Sequence, residues 1–323
     1  MPELRYNRAI ASALADAMEE DPTVVTLGED ITGGGVYGAT RGLKERFGAE
    51  RVLDTPISEA AFLGAAVGAA LSGLRPVVEI SFMDFLTFAM DPLVNQAAKA
   101  RFMFGGQASV PLVVRTPHGG GVGGGAQHSQ CLEAWFAHVP GLKLVCPADP
   151  ASAYGLLRAA IRDPDPVIVV EHKALYATRA EAPENLPILP IGVAATVRSG
   201  RDVTIVTYGA MLRGVLDAAA TLAAEGVEAE IVDLRSLQPW DEAAVLASLA
   251  RTHRLVIAHE AVEAFGIGAE IVARMADVGF DELDAPIVRV GAPFMPSPLA
   301  KGLERRYLPQ ADDVIAAARR VLA

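Results

Sequence analysis

Short runs of β-branched and aliphatic residues alternate with Ala-rich or amphipathic stretches along most of the chain, and this alternation limits the folds open to it. A helix is predicted at Glu59–Ser72, with Ser58 as its N-cap and Gly73 at its end. Because a strand–helix–strand order gives parallel strands, we predict an α/β fold with a parallel sheet. The predicted strands are Val24–Leu27, Val77–Ile80, Pro111–Arg115, Leu142–Val145 and Val167–Val170.

The alternation is interrupted between Tyr176 and Gly200 by a segment rich in proline, glutamate and arginine. Proline continues neither a helix nor a central strand, so we predict a linker at residues 179–200 between domains at residues 1–178 and 201–323. A chain of 323 residues suits about two domains of this class. Beyond the linker, the predicted strands are Val203–Thr207, Ala229–Val232, Leu255–Ala258 and Ile287–Val290, and the predicted helices include Glu242–Ala250 and Ile267–Ala276.

Composition excludes several classes of partner. A net charge of -11 with no cluster of Lys and Arg disfavours nucleic acid. The longest apolar stretch, Phe62–Leu74, is shorter than the roughly 20 residues that cross a bilayer. The start, Met1–Arg5, lacks the apolar core of a secretory signal, and Cys131 and Cys146 are too few for a disulfide scaffold. We predict a cytoplasmic protein with no membrane or nucleic-acid partner.

A glycine-rich stretch follows one predicted strand, with six glycines in the seven positions 119–125. Gly119, Gly121 and Gly124 match G-x-G-x-x-G, but a dinucleotide fold would continue directly into a helix, and a polar segment follows here. Two interpretations remain, a flexible loop or a backbone that approaches a ligand closely. His128, at the end of the loop, fits either an acid/base group or a hydrogen-bonded loop histidine.

Glu59 lies in the first turn of its predicted helix, where the helix dipole stabilises any carboxylate, so an ordinary surface glutamate fits equally well. Its setting favours a functional carboxylate, because residues 54–58 end a strand and ligands usually bind at the carboxyl edge of a parallel sheet. Glu29 also follows a strand, where a turn with solvated acids is the commoner case. Phe82, Phe85 and Phe88 recur at helical spacing, which is typical of residues in a buried core.

Taken in order, several segments resemble the β subunit of the thiamine-diphosphate-dependent first component of 2-oxoacid dehydrogenase complexes, in the transketolase-like superfamily. The resemblance covers nearly the whole chain. Any one segment alone is weak evidence for the family, but the segments in this order are highly specific. It implies a pyrimidine-binding parallel-sheet domain followed by a transketolase C-terminal-like α/β domain. The segments are Gly28–Asp30, Arg51–Glu59, Gly73–Pro76, Gly124–Gln130, Pro140–Lys143, Ala160–Pro166, Asp233–Arg235 and Tyr307–Pro309.

The resemblance assigns roles to five residues. Glu59 matches the glutamate that hydrogen-bonds the aminopyrimidine of thiamine diphosphate, and Phe85 matches the aromatic residue that stacks on that ring. Ser81 falls at a cofactor-binding position where relatives often carry a larger Met or Gln. Glu29 matches an acid in the polar network that joins the cofactor sites, and His128 matches a histidine implicated in acyl transfer to lipoyl groups.

Five further positions match residues around a potassium ion in some members, largely through backbone carbonyls. They are Leu112, Ala160, Ile161, Asp163 and Asp165.

The chain lacks the Gly-Asp-Gly motif through which thiamine-diphosphate enzymes hold the diphosphate via magnesium. The resemblance therefore implies an α subunit that supplies the diphosphate and magnesium half, an α2β2 heterotetramer, and a lipoylated dihydrolipoyl acyltransferase core as further partner. Arg115–His118 resembles acetoin dehydrogenases and Arg101–Gly106 is common to pyruvate and acetoin types, which favours a small substrate over a branched-chain 2-oxoacid. The alternatives are half of a split transketolase-like or 1-deoxyxylulose-phosphate-synthase-like enzyme and a noncatalytic α/β binding module.

Overall fold

The computed structural model describes residues 3–183 and 185–323. They form two compact units, each of them α/β, which confirms the predicted fold class. The first unit runs to His118 and then comprises Trp135–Ile191, while the second comprises Gly119–Ala134 and Gly192–Ala323. The domain boundaries predicted at residues 178 and 201 stay a prediction.

The first unit is built on short strands and helices in alternation. Its strands are β1 (Glu3–Arg5), β2 (Val24–Gly28), β3 (Val52–Asp54), β4 (Arg75–Glu79), β5 (Val113–His118), β6 (Lys143–Val145), β7 (Val167–His172) and β8 (Arg179–Glu181). Its helices are α1 (Tyr6–Glu20), α2 (Leu43–Phe47), α3 (Glu59–Leu71), α4 (Met83–Leu86), α5 (Ala98–Met103) and α7 (Pro150–Arg162), while α6 (Glu133–Ala137) begins among the residues of the second unit.

Six of these strands form a parallel sheet in the order β6-β7-β5-β4-β2-β3. Strands β5 and β7 are buried along their whole length, as expected when helices cover both faces of a parallel sheet. At one edge of the sheet the register pairs Gly28 with both Asp54 and Glu79. The carboxyl ends of β2, β3 and β4 therefore lie side by side.

The second unit contains strands β9 to β14 and helices α8 to α12. The strands are β9 (Ala195–Arg198), β10 (Val203–Thr207), β11 (Ala229–Asp233), β12 (Ser236–Gln238), β13 (Leu255–Val262) and β14 (Val288–Ala292). The helices are α8 (Met211–Ala224), α9 (Glu242–Thr252), α10 (Ile267–Val278), α11 (Lys301–Tyr307) and α12 (Ala311–Leu322). The sheet runs β14-β13-β10-β11-β9, parallel except for β9 at one edge. No helix in the described ranges is long and apolar enough to span a bilayer.

All nine predicted strands are present, with ends that shift by a few residues. One local prediction is confirmed in position only, and another is wrong. Ser58 occupies the N-cap position of α3 as predicted, with φ -169° and ψ 66°, but its side chain makes no capping hydrogen bond. The three phenylalanines are not a core: Phe82 and Phe85 are half-buried and Phe88 is exposed. Only Phe85 lies on α4, because Phe82 has extended backbone before the helix and Phe88 lies in the 3₁₀ turn that follows.

Candidate functional site

Two carboxylates lie at the carboxyl edge of the first unit's sheet. Glu29 follows β2 directly, and Glu59 begins α3 after the loop that leaves β3. Glu59 is only 9% exposed, and its place in the first turn puts its charge at the positive end of the helix dipole. Ligands of parallel α/β sheets bind at this edge, so the position suits a functional carboxylate.

The two carboxylates affect each other. Burial raises the pKa of Glu29, and the negative charges of Glu59 and Asp30 raise it further. A neighbouring negative charge disfavours ionisation, so Glu29 retains its proton to higher pH than an isolated glutamate. Glu29 is therefore suited to hold a proton beside Glu59.

The raised pKa of Glu29 predicts how stability depends on pH. A carboxyl group that binds its proton more tightly in the folded state stabilises the protein most below its unfolded pKa, and this contribution is lost as pH rises through the folded pKa. We therefore expect Glu29→Gln to flatten the decline in stability as pH rises from about 4 upward. Urea unfolding midpoints measured across that range test this, and parallel curves for the two proteins would contradict it.

Aromatic rings lie beside this edge. Phe85, on α4, meets Phe82 edge-on with ring centroids 5.4 Å apart, and its half-buried ring keeps part of its surface accessible. Helix α3 packs against the 3₁₀ turn Thr87–Ala89 that follows Phe85, and Ser81, two residues beyond β4, is buried. The first unit thus carries four of the predicted site residues, Glu29, Glu59, Ser81 and Phe85.

A buried ion cluster beneath this edge was not predicted from the sequence. The Arg115 guanidinium, 1% exposed, donates two hydrogen bonds of 2.8 Å to Glu171 and one of 2.7 Å to Glu79. Tyr176 donates its hydroxyl to Glu171, and burial raises the pKa of Glu79. A Cβ atom on Gly35 would lie 2.6 Å from a Glu79 oxygen, so the loop after Glu29 needs glycine there. The sequence signal that could have revealed this cluster is the presence of charged residues within otherwise apolar strands.

His128 belongs to the second unit, unlike the other four predicted residues. It lies between Gln127 and Ser129, which line a cavity of about 540 Å³ within that unit. The hydroxyls of Ser129 and Ser297 are buried in its wall and make no hydrogen bond to any residue that the structure describes. The other walls are formed by Ala126, Gln130–Leu132, Glu260–Val262, Phe294–Pro296 and Tyr307.

Comparison with known proteins identifies the family. Residues 3–179 match the family model of the transketolase pyrimidine binding domain, and residues 192–314 match that of the transketolase C-terminal domain. The β subunit of an acetoin:2,6-dichlorophenolindophenol oxidoreductase from Cupriavidus necator is 48% identical, over 99% of this chain and 98% of the relative. The chain belongs to the transketolase-like family of dehydrogenase β subunits.

Other members of this family of β subunits are nearly as similar. The mitochondrial pyruvate dehydrogenase E1 component subunit beta-2 of Oryza sativa is 47% identical, over 98% of this chain and 86% of its own length. Among solved structures, a split-gene transketolase described as an inactive beta4 tetramer has a TM-score of 0.82 at 25% identity, over 99% of this chain and 98% of its own. The family models and the structural match therefore confirm the expected fold, a pyrimidine-binding domain followed by a transketolase C-terminal-like domain.

Four of the potassium positions that the resemblance suggested, Ala160, Ile161, Asp163 and Asp165, lie at the end of α7 or just after it, and Leu112 immediately precedes β5. The oxygens suit a hard cation chemically, but protein cations already contact several of them. Arg75 donates to the carbonyls of Ile161 (2.9 Å) and Asp163 (3.2 Å), and Lys143 donates to the Asp163 carboxylate at 2.7 Å. The carbonyls of Leu112 and Ala160 accept backbone N–H groups, and Asp165 pairs with Arg101 and Lys143. Potassium binding at these positions stays a prediction.

Proposed function

We propose that this chain is the β subunit of a heterotetrameric 2-oxoacid (pyruvate-type) or acetoin dehydrogenase, active only with an α subunit. The observation that carries the proposal is a buried glutamate at the start of α3, Glu59, in a chain that matches dehydrogenase β subunits over almost its full length. The chain would supply the pyrimidine-activating half of a thiamine diphosphate site that both subunits share.

The residues at the sheet edge fit an aminopyrimidine ring. Thiamine diphosphate, when bound, supplies the electron sink for cleavage next to a carbonyl. Glu59 would bind a ring nitrogen and exchange a proton with it, in a setting whose burial strengthens that hydrogen bond. Phe85 would stack on the ring, and Glu29, with its raised pKa, would hold a proton beside Glu59. Ser81 would line the same site with a smaller side chain than relatives carry.

An α subunit is proposed on two grounds. The chain has no Gly-Asp-Gly motif, so the diphosphate and its magnesium ion would be held by the partner. In addition, three consecutive large apolar residues at the end of α5 are exposed: Phe102 by 89%, Met103 by 68% and Phe104 by 53%. Exposed apolar groups that are contiguous mark interaction surfaces.

Acyl transfer is proposed for His128 in the second unit. The cavity beside it is walled by apolar groups such as Leu132, Val262 and Met295 and has no Lys or Arg in its lining. Such a cavity suits an uncharged, largely apolar chain with a few hydrogen-bonding atoms, which describes a lipoyl arm of a dihydrolipoyl acyltransferase. An imidazole can both accept and donate a proton, as proton transfer to or from a thiol requires.

Pyruvate and acetoin are the proposed substrates. The relatives of 45–48% identity are named as pyruvate and acetoin enzymes, and the split transketolase is more distant, so the sugar-phosphate alternative is not favoured. The stretch Arg115–His118, which resembles acetoin enzymes, is wholly buried in β5. Its effect on substrate choice would therefore be indirect.

The proposal is tested by purifying the tagged chain from its native extract. We expect an α chain bearing Gly-Asp-Gly to copurify, and the complex to reduce 2,6-dichlorophenolindophenol with pyruvate or acetoin when thiamine diphosphate and magnesium are added. The chain alone should be inactive, and the better substrate assigns the specificity. A partner without that motif, or an inactive complex with both substrates, would contradict the proposed function.

A further inference from the structure

The glycine-rich loop of the second unit has an alternating backbone. Gly119, Gly121, Gly123 and Gly125 have φ angles of 84°, 84°, 76° and 70°, while the residues between them do not have positive φ. Backbones that alternate in hand direct successive N–H groups toward one point, which forms a nest for an anion. Only glycine adopts the positive φ values at low cost, which explains why the stretch is so rich in it.

A carboxylate of the same unit already occupies this nest. Glu304, 2% exposed, accepts hydrogen bonds from the N–H groups of Gly121 at 2.9 Å and of Gly123 at 3.0 Å. A second carboxylate, that of Glu260, accepts from the Gly120 N–H at 2.6 Å. The donors that would hold a phosphate in a nucleotide-binding loop are thus engaged by protein carboxylates.

The nest is connected to His128 by close backbone contacts. The His128 N–H donates to the carbonyl of Gly125 at 3.3 Å. A Cβ atom on Gly124 would lie 2.9 Å from the His128 carbonyl oxygen and 2.8 Å from the Ser129 hydroxyl. With so little free space, a displacement of residues 121–125 must move His128.

We propose that Glu304 is a positioning residue that holds the glycine-rich loop, and through it His128, in the place needed for acyl transfer. The inference rests on the proposed role of His128. Hydrogen bonds from backbone N–H groups to a carboxylate are charge-assisted and therefore about twice as strong as neutral ones. Glu304 itself would touch neither substrate nor cofactor.

The test separates two partial reactions of the α2β2 enzyme. Dye reduction follows decarboxylation without a lipoyl group, whereas reductive acylation of a lipoyl domain also requires His128. In Glu304→Ala we expect acylation to fall by about tenfold to a hundredfold, the loss that a misplacement of about 1 Å produces. Dye reduction should remain close to that of the unaltered enzyme. Glu225→Ala, at an exposed carboxylate of the same unit, should change neither rate, and His128→Ala sets the scale of full loss.

Adding a small carboxylate to Glu304→Ala tests whether the acylation rate depends on an acceptor in the nest and not only on the stability of the fold. Added formate should restore part of the acylation rate of Glu304→Ala, because a small carboxylate can accept the same N–H groups, whereas chloride at equal ionic strength should not. Glu304→Gln keeps one acceptor oxygen but turns an amide N–H₂ toward the loop, so an intermediate loss is expected. Amide exchange of residues 119–130 should be faster in Glu304→Ala than in the unaltered chain.

Three results would overturn the inference: unchanged acylation, equal losses in both reactions, or the same response to formate and chloride. If Glu304→Ala does not fold, the ratio of the acylation rate to the dye-reduction rate in Glu304→Gln provides the test. A ratio equal to that of the unaltered enzyme would contradict the inference. Failure of the proposed function is recognised separately, because the unaltered complex would then lack dye reduction or His128→Ala would acylate normally.

Discussion

Arg115→Met is expected to lower the free energy of unfolding by about 3–5 kcal/mol, because it leaves two buried carboxylates without their partner. Glu79 and Glu171 are 4% and 0% exposed, so water cannot replace the lost guanidinium. Part of the loss should be recovered at low pH, where protonation removes the two charges. Burial raises the pKa of Glu79 and Arg115 opposes that shift, so removing the guanidinium should raise the pKa of Glu79 further.

Hydrogen exchange of β5 and chemical unfolding would measure this loss. Arg46→Met in the same unit is the matched control, since the Arg46–Glu19 pair is exposed and such pairs contribute about 0–1 kcal/mol. Equal destabilisation by the two substitutions would show that the buried cluster contributes no more than a surface pair.

Glu59→Gln is expected to lower the turnover of the αβ complex by about a hundredfold to ten-thousandfold, the usual range for loss of a proton-transfer group. Glutamine keeps the size of the side chain but cannot take up a proton. The fold should survive, because Glu59 begins its helix and the apolar face of α3 is untouched. Removing the neighbouring charge should also lower the pKa of Glu29.

Turnover, thiamine diphosphate affinity and a ¹³C NMR titration of the carboxyl groups test this expectation. Ser58→Ala is a close control, because Ser58 is exposed and makes no capping hydrogen bond. Unchanged turnover and cofactor affinity in Glu59→Gln would contradict the proposed role of Glu59 in the cofactor site.

The sequence predicted the alternating fold well because strands such as Val167–His172 are apolar throughout, a pattern that two covered faces impose. The short edge strand Val52–Asp54 has one buried residue and hence no periodic signal, so the sequence indicated only that a strand ends near Asp54. Ser58 was placed correctly at the N-cap, but its capping hydrogen bond is absent because a residue type alone does not fix backbone geometry. The phenylalanine spacing misled for a similar reason, since a helical period was assumed beyond Leu86.

The site was predictable where it follows local rules and unpredictable where it depends on distant partners. Glu59 could be placed because it follows a strand and opens a helix. The Arg115 cluster joins residues of three strands, and the contact of Glu304 with Gly121 spans 183 positions. Neither pairing leaves a periodic or spacing signal in one sequence. Whether the five predicted site residues act together also stays a prediction.

The distance along the chain between the loop and its carboxylate has a consequence for biosynthesis. A nascent chain that has emerged only as far as β13 already contains residues 119–125 and Glu260, which accepts from Gly120, but not Glu304, which accepts from Gly121 and Gly123. The loop can therefore reach its final geometry only after Glu304 has left the ribosome. Any shortened translation product that ends before α11 would carry His128 on a segment that lacks the Glu304 contacts, although the strands of the first unit would be complete.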